Sequence, residues 1–296
     1  TPQTEMTIYS ALSERGYKTR IWPARIPSES QQNRMGSTLA PLVKALTEDV
    51  GTPIDPQRFN NEDLMEREAS YGRTGFALQF MLDATLSDQN RYPLKLSALL
   101  VMSISGDEGP EKVVWAPDRD RVVTDVPCVG LSGDRYYTPF EVSHGWKKFS
   151  GSVLAIDPSG RGADETAYAV VKMINGFLFV TDAGGIEGGY DDKALQRLAV
   201  IAREQKVNLV LVESNFGDGM FTALLKPVLA KIYKVSVEEV RHSTQKERRI
   251  IDTLEPVMNQ HRLVINRKVI EQDYDSTRHL SPDKALKYQL FYQMSR

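Results

Sequence analysis

From Ser152 onward the chain shows a regular cadence of apolar and polar positions. Ser152-Val-Leu-Ala-Ile-Asp157 is a short apolar run ending on an acid and predicts a buried strand over 153–157. Thr166–Lys172 and Phe177–Asp182 predict two more strands, with Asn175-Gly176 between them as a hairpin signal. Leu195, Leu198, Ala199 and Ala202 fall at helical spacing and predict a helix over 190–205. Asn208–Glu213 is a fourth strand, again ending on an acid. A helix over 219–234 follows, with a kink expected at Pro227, then a fifth strand near 235–240. Ile250, Ile251, Leu254, Val257 and Met258 share one face of a helix over 245–260, and Arg262–Asn266 is a last short strand. The order β-β-β-α-β-α-β-α implies a mixed β-sheet flanked by helices. Right-handed crossovers place the fourth strand beside the first, so that both end at one sheet edge.

Before residue 151 the pattern is less regular. Thr4–Arg15 predicts a short helix ended by Gly16, and Lys18–Pro27 a strand broken by prolines. Asn61–Gly72 is a charged helix and Thr74–Leu86 an apolar, aromatic one. Residues 106–145 are rich in turn residues and short strands, as in an extended connector. The composition changes most clearly near Trp146–Gly151. Three regions are therefore expected: 1–75, a connector over 76–150, and an α/β domain over 151–296.

The chain has 296 residues, 41% hydrophobic and 26% charged, an ordinary globular composition. No apolar run approaches a membrane span, so no membrane role is expected. The lone Cys128 cannot form an internal disulfide and fits a reducing compartment. A net charge of −2 excludes a globally basic nucleic-acid binder, so any such contact must rest on local clusters. Thr1 rather than Met opens the chain, and Lys284–Arg296 predicts a helix that stops without a cap. The chain is accordingly expected to be a piece of a longer one.

Two strand-ending acids on adjacent strands repel unless a cation neutralises them. Mg²⁺ or Mn²⁺ takes such oxygen ligands, and two ions together can activate water against a phosphodiester. Asp157 and Glu213 are thus candidate catalytic metal ligands as a pair, although either alone reads first as an ordinary turn acid. Asp157-Pro-Ser-Gly-Arg-Gly-Ala-Asp164 is a glycine-containing loop but no P-loop; Asp164 is an extra ligand or merely starts the next strand. Asp182 reads as a turn residue closing the third strand. Arg161, Asn215 and the basic residues Lys147, Lys148, Lys246, Arg248, Arg249 and Lys268 are candidate contacts to a DNA backbone, or solvated decoration. No Cys/His cluster has zinc spacing and no serine elbow is present.

Ile156-Asp157-Pro with Gly160-x-Gly and Asp164 resembles the first motif of phage large-terminase nuclease domains, and Leu211-Val-Glu213-Ser-Asn-Phe-Gly the second. Lys246-x-x-Arg249-Ile, Leu254-Glu-Pro and Arg262-Leu-Val-Ile resemble the segment that follows. Thr1-Pro-Gln-Thr4 resembles the coupling motif closing the ATPase core of the same motor, and Trp22-Pro-Ala-Arg-Ile-Pro27 the short-tailed phage type. The resemblance implies a ribonuclease H-like fold over 151–296, preceded by a partial ATPase region over 1–75 without Walker motifs. It implies a metal-dependent endonuclease with a two-metal Mg²⁺ or Mn²⁺ site that cuts concatemeric double-stranded viral DNA during packaging. Asp157, Glu213 and, in some members, the acid matching Asp164 hold metal. Implied partners are the terminase small subunit and portal protein, in a ring formed by the full-length motor, in the host cytoplasm at the procapsid. The family's third acid on a late helix has no match at Asp273, Asp275 or Asp283 and is expected beyond Arg296. The alternative is a non-catalytic DNA-gripping module of the same motor; a nucleotide-binding domain of actin type is a weaker third reading.

Overall fold

The computed structural model describes residues 12, 15–85, 91–104, 106–159, 164–214, 219–241 and 245–296, with the side chains of Pro282 and Asp283 left out. Two compact units divide at Pro93/Leu94. In the first unit, Glu29–Met35 is capped by Ser28 and Gln31 in a reciprocal box. The two helices expected either side of Gly72 form one element, Asn61–Gln79, broken at Gly72, whose φ of 67° only glycine adopts readily. Two small apolar clusters hold this unit, one around Leu39 and Val43, the other around Leu64, Phe76 and Met81. The proline-broken segment 18–27 makes isolated bridges at Ile21 and Arg25 rather than a strand.

The second unit is built on a seven-stranded sheet in the order β1-β7-β4-β3-β2-β5-β6. The strands are β1 Leu100–Met102, β2 Gly151–Asp157, β3 Thr166–Ile174, β4 Phe177–Ile186, β5 Leu209–Glu213, β6 Ser236–Val240 and β7 Leu263–Asn266. Only β3 runs against its neighbours. The helices are α1 Asp192–Glu204, α2 Met220–Ile232, α3 Lys246–Asn259, α4 Arg267–Ser276 and, after a further short helix Pro282–Tyr288, α5 Leu290–Met294.

Strand alternation decides what covers each face. Leu154 and Ile156 of β2 and Val210 and Val212 of β5 point one way, into α1 and α2 through Leu195, Leu198, Ile201, Phe221 and Leu225. Each such fully buried side chain stabilises the fold by about 1.5–3 kcal/mol. The opposite face carries Ala183, Leu263 and Ile265 against Met258 of α3, Val269 and Ile270 of α4, and Phe291 of α5.

Leu94, Leu96, Leu99, Val101, Val123 and Tyr136 belong to that second core as well. Residues 94–150 of the expected connector are thus part of the α/β unit, and the boundary lies at Pro93/Leu94 rather than near Trp146–Gly151. The composition change at 146–151 marks where short irregular strands give way to long ones, not where packing stops. Asp182 likewise differs from its expected place. It lies within β4, opposite Val170, beside a register shift between Val170 and Val171. A bulge of this kind turns the side chains beyond it to the other face.

Candidate functional site

β2 and β5 are parallel neighbours whose last paired positions are Ile156 and Val212. Asp157 and Glu213 follow directly, so both carboxylates stand at the same sheet edge on adjacent strands. Because Ile156 and Val212 face α1 and α2, alternation turns the two acids to the other face. On that face the far end of α3 packs its Met258 into the core, and the first turn of α3 reaches the acids. Lys246 Nζ lies 2.6 Å from Asp157 Oδ2 and Arg249 Nη2 lies 3.3 Å from Glu213 Oε1. The Lys246–Asp157 pair is open to solvent, with side chains 59% and 43% exposed, whereas Arg249 and Glu213 are 23% and 18% exposed. The hydrogen bond to Asp157 outweighs desolvation and holds the Lys246 ammonium above its ordinary pKa, with Glu213 adding to the pull. Arg241 Nε donates to the buried Ser214 hydroxyl at 3.3 Å, next to Glu213. No pattern in the sequence announces this contact.

The structure brings together Asp157, Glu213, Lys246 and Arg249. Asp164 is exposed, and among the described residues no group of three or more acids, histidines or cysteines is assembled that could hold a metal. Arg161 and Asn215 lie outside the described residues. Arg248 turns to Asp252 on its own helix at 3.8 Å. Lys147 pairs with Glu111, and Lys147 and Lys148 sit before the start of β2, at the opposite end from Asp157. Seven residues of strand put roughly 20 Å between those ends. Lys268 lies in the first turn of α4 at the acid-bearing edge, but three strands away from β2, roughly 14 Å across the sheet.

Of the late acids, Asp273 accepts from the Leu290 and Phe291 amides and caps α5, and Asp275 pairs with Arg278. Asp182 is half-buried and accepts from the Tyr168 hydroxyl at 3.2 Å; burial holds its carboxyl above the ordinary range. It also lines a polar cavity of about 290 Å³ with Lys172, Thr181, Gln205, Asn266 and Lys268.

A divalent cation is tested by this donor set. Two carboxylates side by side offer hard oxygen ligands at a solvent-reaching edge, and each already draws a cation. That fits a Mg²⁺-class ion, which takes one or two carboxylates and completes its shell with water and phosphate oxygens.

Residues 156–263 match the family described as Terminase Bacteriophage T7, Ribonuclease H-like domain. The chain is 45% identical over 303 residues to the terminase large subunit of Enterobacteria phage T3, covering 100% of this chain and 52% of that one. It therefore spans about half the length of this curated relative. Among solved structures it is similar to the nuclease domain of the large terminase subunit gp2 of bacterial virus Sf6, at 13% identity, 45% and 72% coverage and a TM-score of 0.34. It is also similar to the Mn-soaked, inhibitor-bound human cytomegalovirus terminase nuclease domain, at 10% identity, 44% and 74% coverage and a TM-score of 0.33.

Proposed function

Because the chain belongs to the phage terminase large-subunit family, we propose that its second unit is a divalent-metal-dependent endonuclease that cuts viral DNA during packaging. The observation that carries this reading is the pairing of β2 with β5, which sets Asp157 and Glu213 side by side at one sheet edge. A bound Mg²⁺ or Mn²⁺ would supply Lewis acidity and a water of lowered pKa. Asp157 and Glu213 would hold the cation from strand ends that hydrogen bonding to neighbouring strands keeps rigid. Lys246 and Arg249 offer charge-assisted hydrogen bonds to the phosphate backbone beside them. The solvent exposure of Asp157 leaves room for that backbone to approach.

The wider assignments rest on the family. The first unit is proposed to be the end of the packaging ATPase region. Small subunit and portal protein are the proposed partners, in a ring at the procapsid in the infected cell. Among the described residues no helix is long and apolar enough to cross a membrane.

Plasmid nicking in Mg²⁺ or Mn²⁺ by the full-length protein that carries this sequence tests the nuclease reading. Asp157→Ala and Glu213→Ala are each expected to lower the rate at least a hundredfold; a variant that cuts as fast as the unchanged chain overturns it. A second reading, a DNA-gripping module without catalysis, is favoured by the ion pairing of both acids to Lys246 and Arg249. It requires that the chain bind DNA yet take up no Mn²⁺ at millimolar concentration.

A further inference from the structure

The first turn of α3 carries an electrostatic conflict. A helix N-terminus has a positive dipole end and favours acids there. Here Lys246, Arg248 and Arg249 accompany the single acid Glu247, and Gln245 gives no side-chain cap. Arg248 resolves its share within the helix through Asp252. Lys246 and Arg249, at i and i+3, share a helix face and turn instead to Asp157 and Glu213. Such a local conflict is expected where function rather than helix stability sets the residues.

We infer that this turn is a built-in counter-ion for the two acids, displaced when a divalent cation binds, so that metal loading frees Lys246 and Arg249 for phosphate. The inference rests on the metal-dependent reading above and adds a competition to it. The Asp157 oxygen that accepts Lys246 Nζ at 2.6 Å cannot give the same lone pair to a cation at about 2.1 Å. The ammonium and guanidinium also repel an incoming dication. Lys246, more than half exposed on a flexible stem, can swing away without disturbing the core. The two side chains then have no acid to neutralise, and a phosphodiester at the same edge is their nearest new partner.

The test is calorimetric titration of the full chain with Mn²⁺, without DNA, so that the readout is binding and not cutting. Lys246→Met and Arg249→Met keep length and remove charge. Lys246→Met is expected to bind Mn²⁺ about twofold and Arg249→Met about five- to thirtyfold more tightly than the unchanged chain, the scales of a screened and of a largely buried ion pair. Lys246→Arg is expected to restore the original affinity. Equal or weaker Mn²⁺ binding by the Met variants overturns the proposal. Should Arg249→Met lose its fold because Glu213 is left largely buried, Lys246→Met, at the more exposed position, carries the test alone. Asp157→Asn and Glu213→Gln separate the two failures. If they lose Mn²⁺ while the Met variants match the unchanged chain, only the counter-ion proposal fails. If they bind Mn²⁺ undiminished, the metal reading fails, and this proposal with it.

Discussion

The two ion pairs at the sheet edge should rank opposite to their lengths. Lys246–Asp157 is the shorter, at 2.6 Å against 3.3 Å for Arg249–Glu213. Length alone would make it stronger. Burial decides otherwise. With side chains 23% and 18% exposed, Arg249 and Glu213 interact through a medium of effective dielectric near 20, where 3.3 Å corresponds to roughly 5 kcal/mol of Coulomb energy. Desolvation of both groups takes back most of it and leaves a net coupling of about 1–2 kcal/mol. Lys246 and Asp157, 59% and 43% exposed, are screened by water and hold a flexible side chain in place, so their coupling is about 0.5 kcal/mol. The assay is a pair of double-mutant cycles, with Arg249→Met and Glu213→Gln in one and Lys246→Met and Asp157→Asn in the other. Stability is read from urea melts of the full chain in chelator, so that no divalent ion competes. A Lys246–Asp157 coupling equal to or above the Arg249–Glu213 coupling would mean that distance, not burial, sets these energies.

Other outcomes follow from the same unit. Lys172 is 3% exposed within β3, and burial holds its ammonium below the usual value of 10.5. The charged form is thus weaker in the fold than in the unfolded chain, a penalty present at neutral pH and relieved as pH rises towards 10.5. Lys172→Met should therefore raise the melting midpoint at pH 7, by about 1–3 kcal/mol of stability, and the gain should shrink near pH 10. A destabilised variant at pH 7 contradicts this. Asp273→Ala removes the cap from the Leu290 and Phe291 amides and should cost about 1–3 kcal/mol in a thermal or urea melt, while a melt unchanged within error means the cap contributes nothing. Burial pushes the Cys128 thiol up to about 11, so it stays protonated at pH 8; an aromatic disulfide reagent should modify it only over hours, and stoichiometric reaction within minutes would show that the thiol is reachable.

Much of the second unit is legible in the sequence because its signals are local. The run ending at Asp157, the Asn175-Gly176 turn and the apolar stripe from Leu195 to Ala202 mark β2, the hairpin turn and α1 within a residue or two, whereas β4 runs four residues past its expected end at Asp182. The neighbouring of β2 and β5 follows from crossover handedness alone. What escapes is non-local. β1 pairs with β7 from the far end of the unit, and nothing in Leu100–Met102 announces that partner. The register shift opposite Val170 depends on the match between two strands, so Asp182 reads as a turn when it is mid-strand. The apolar residues from Leu94 to Tyr136 look like a wrapping connector because their strands are short, yet they fill the core under α4 and α5. At the site, each acid is legible as the end of its strand. That Lys246 and Arg249 pair with those acids is not, because it depends on which sheet face α3 covers. Alternation from Ile156 and Val212 was the available clue to the acids' face, and the i, i+3 spacing of the cations the clue to theirs.

Anomalous diffraction from Mn²⁺-soaked crystals shows whether Asp157 and Glu213 form one divalent-cation site at the ends of β2 and β5. A manganese peak is expected between the two carboxylates, with Lys246 withdrawn from Asp157. Manganese absent from that edge, with both ion pairs intact at saturating Mn²⁺, would contradict such a site.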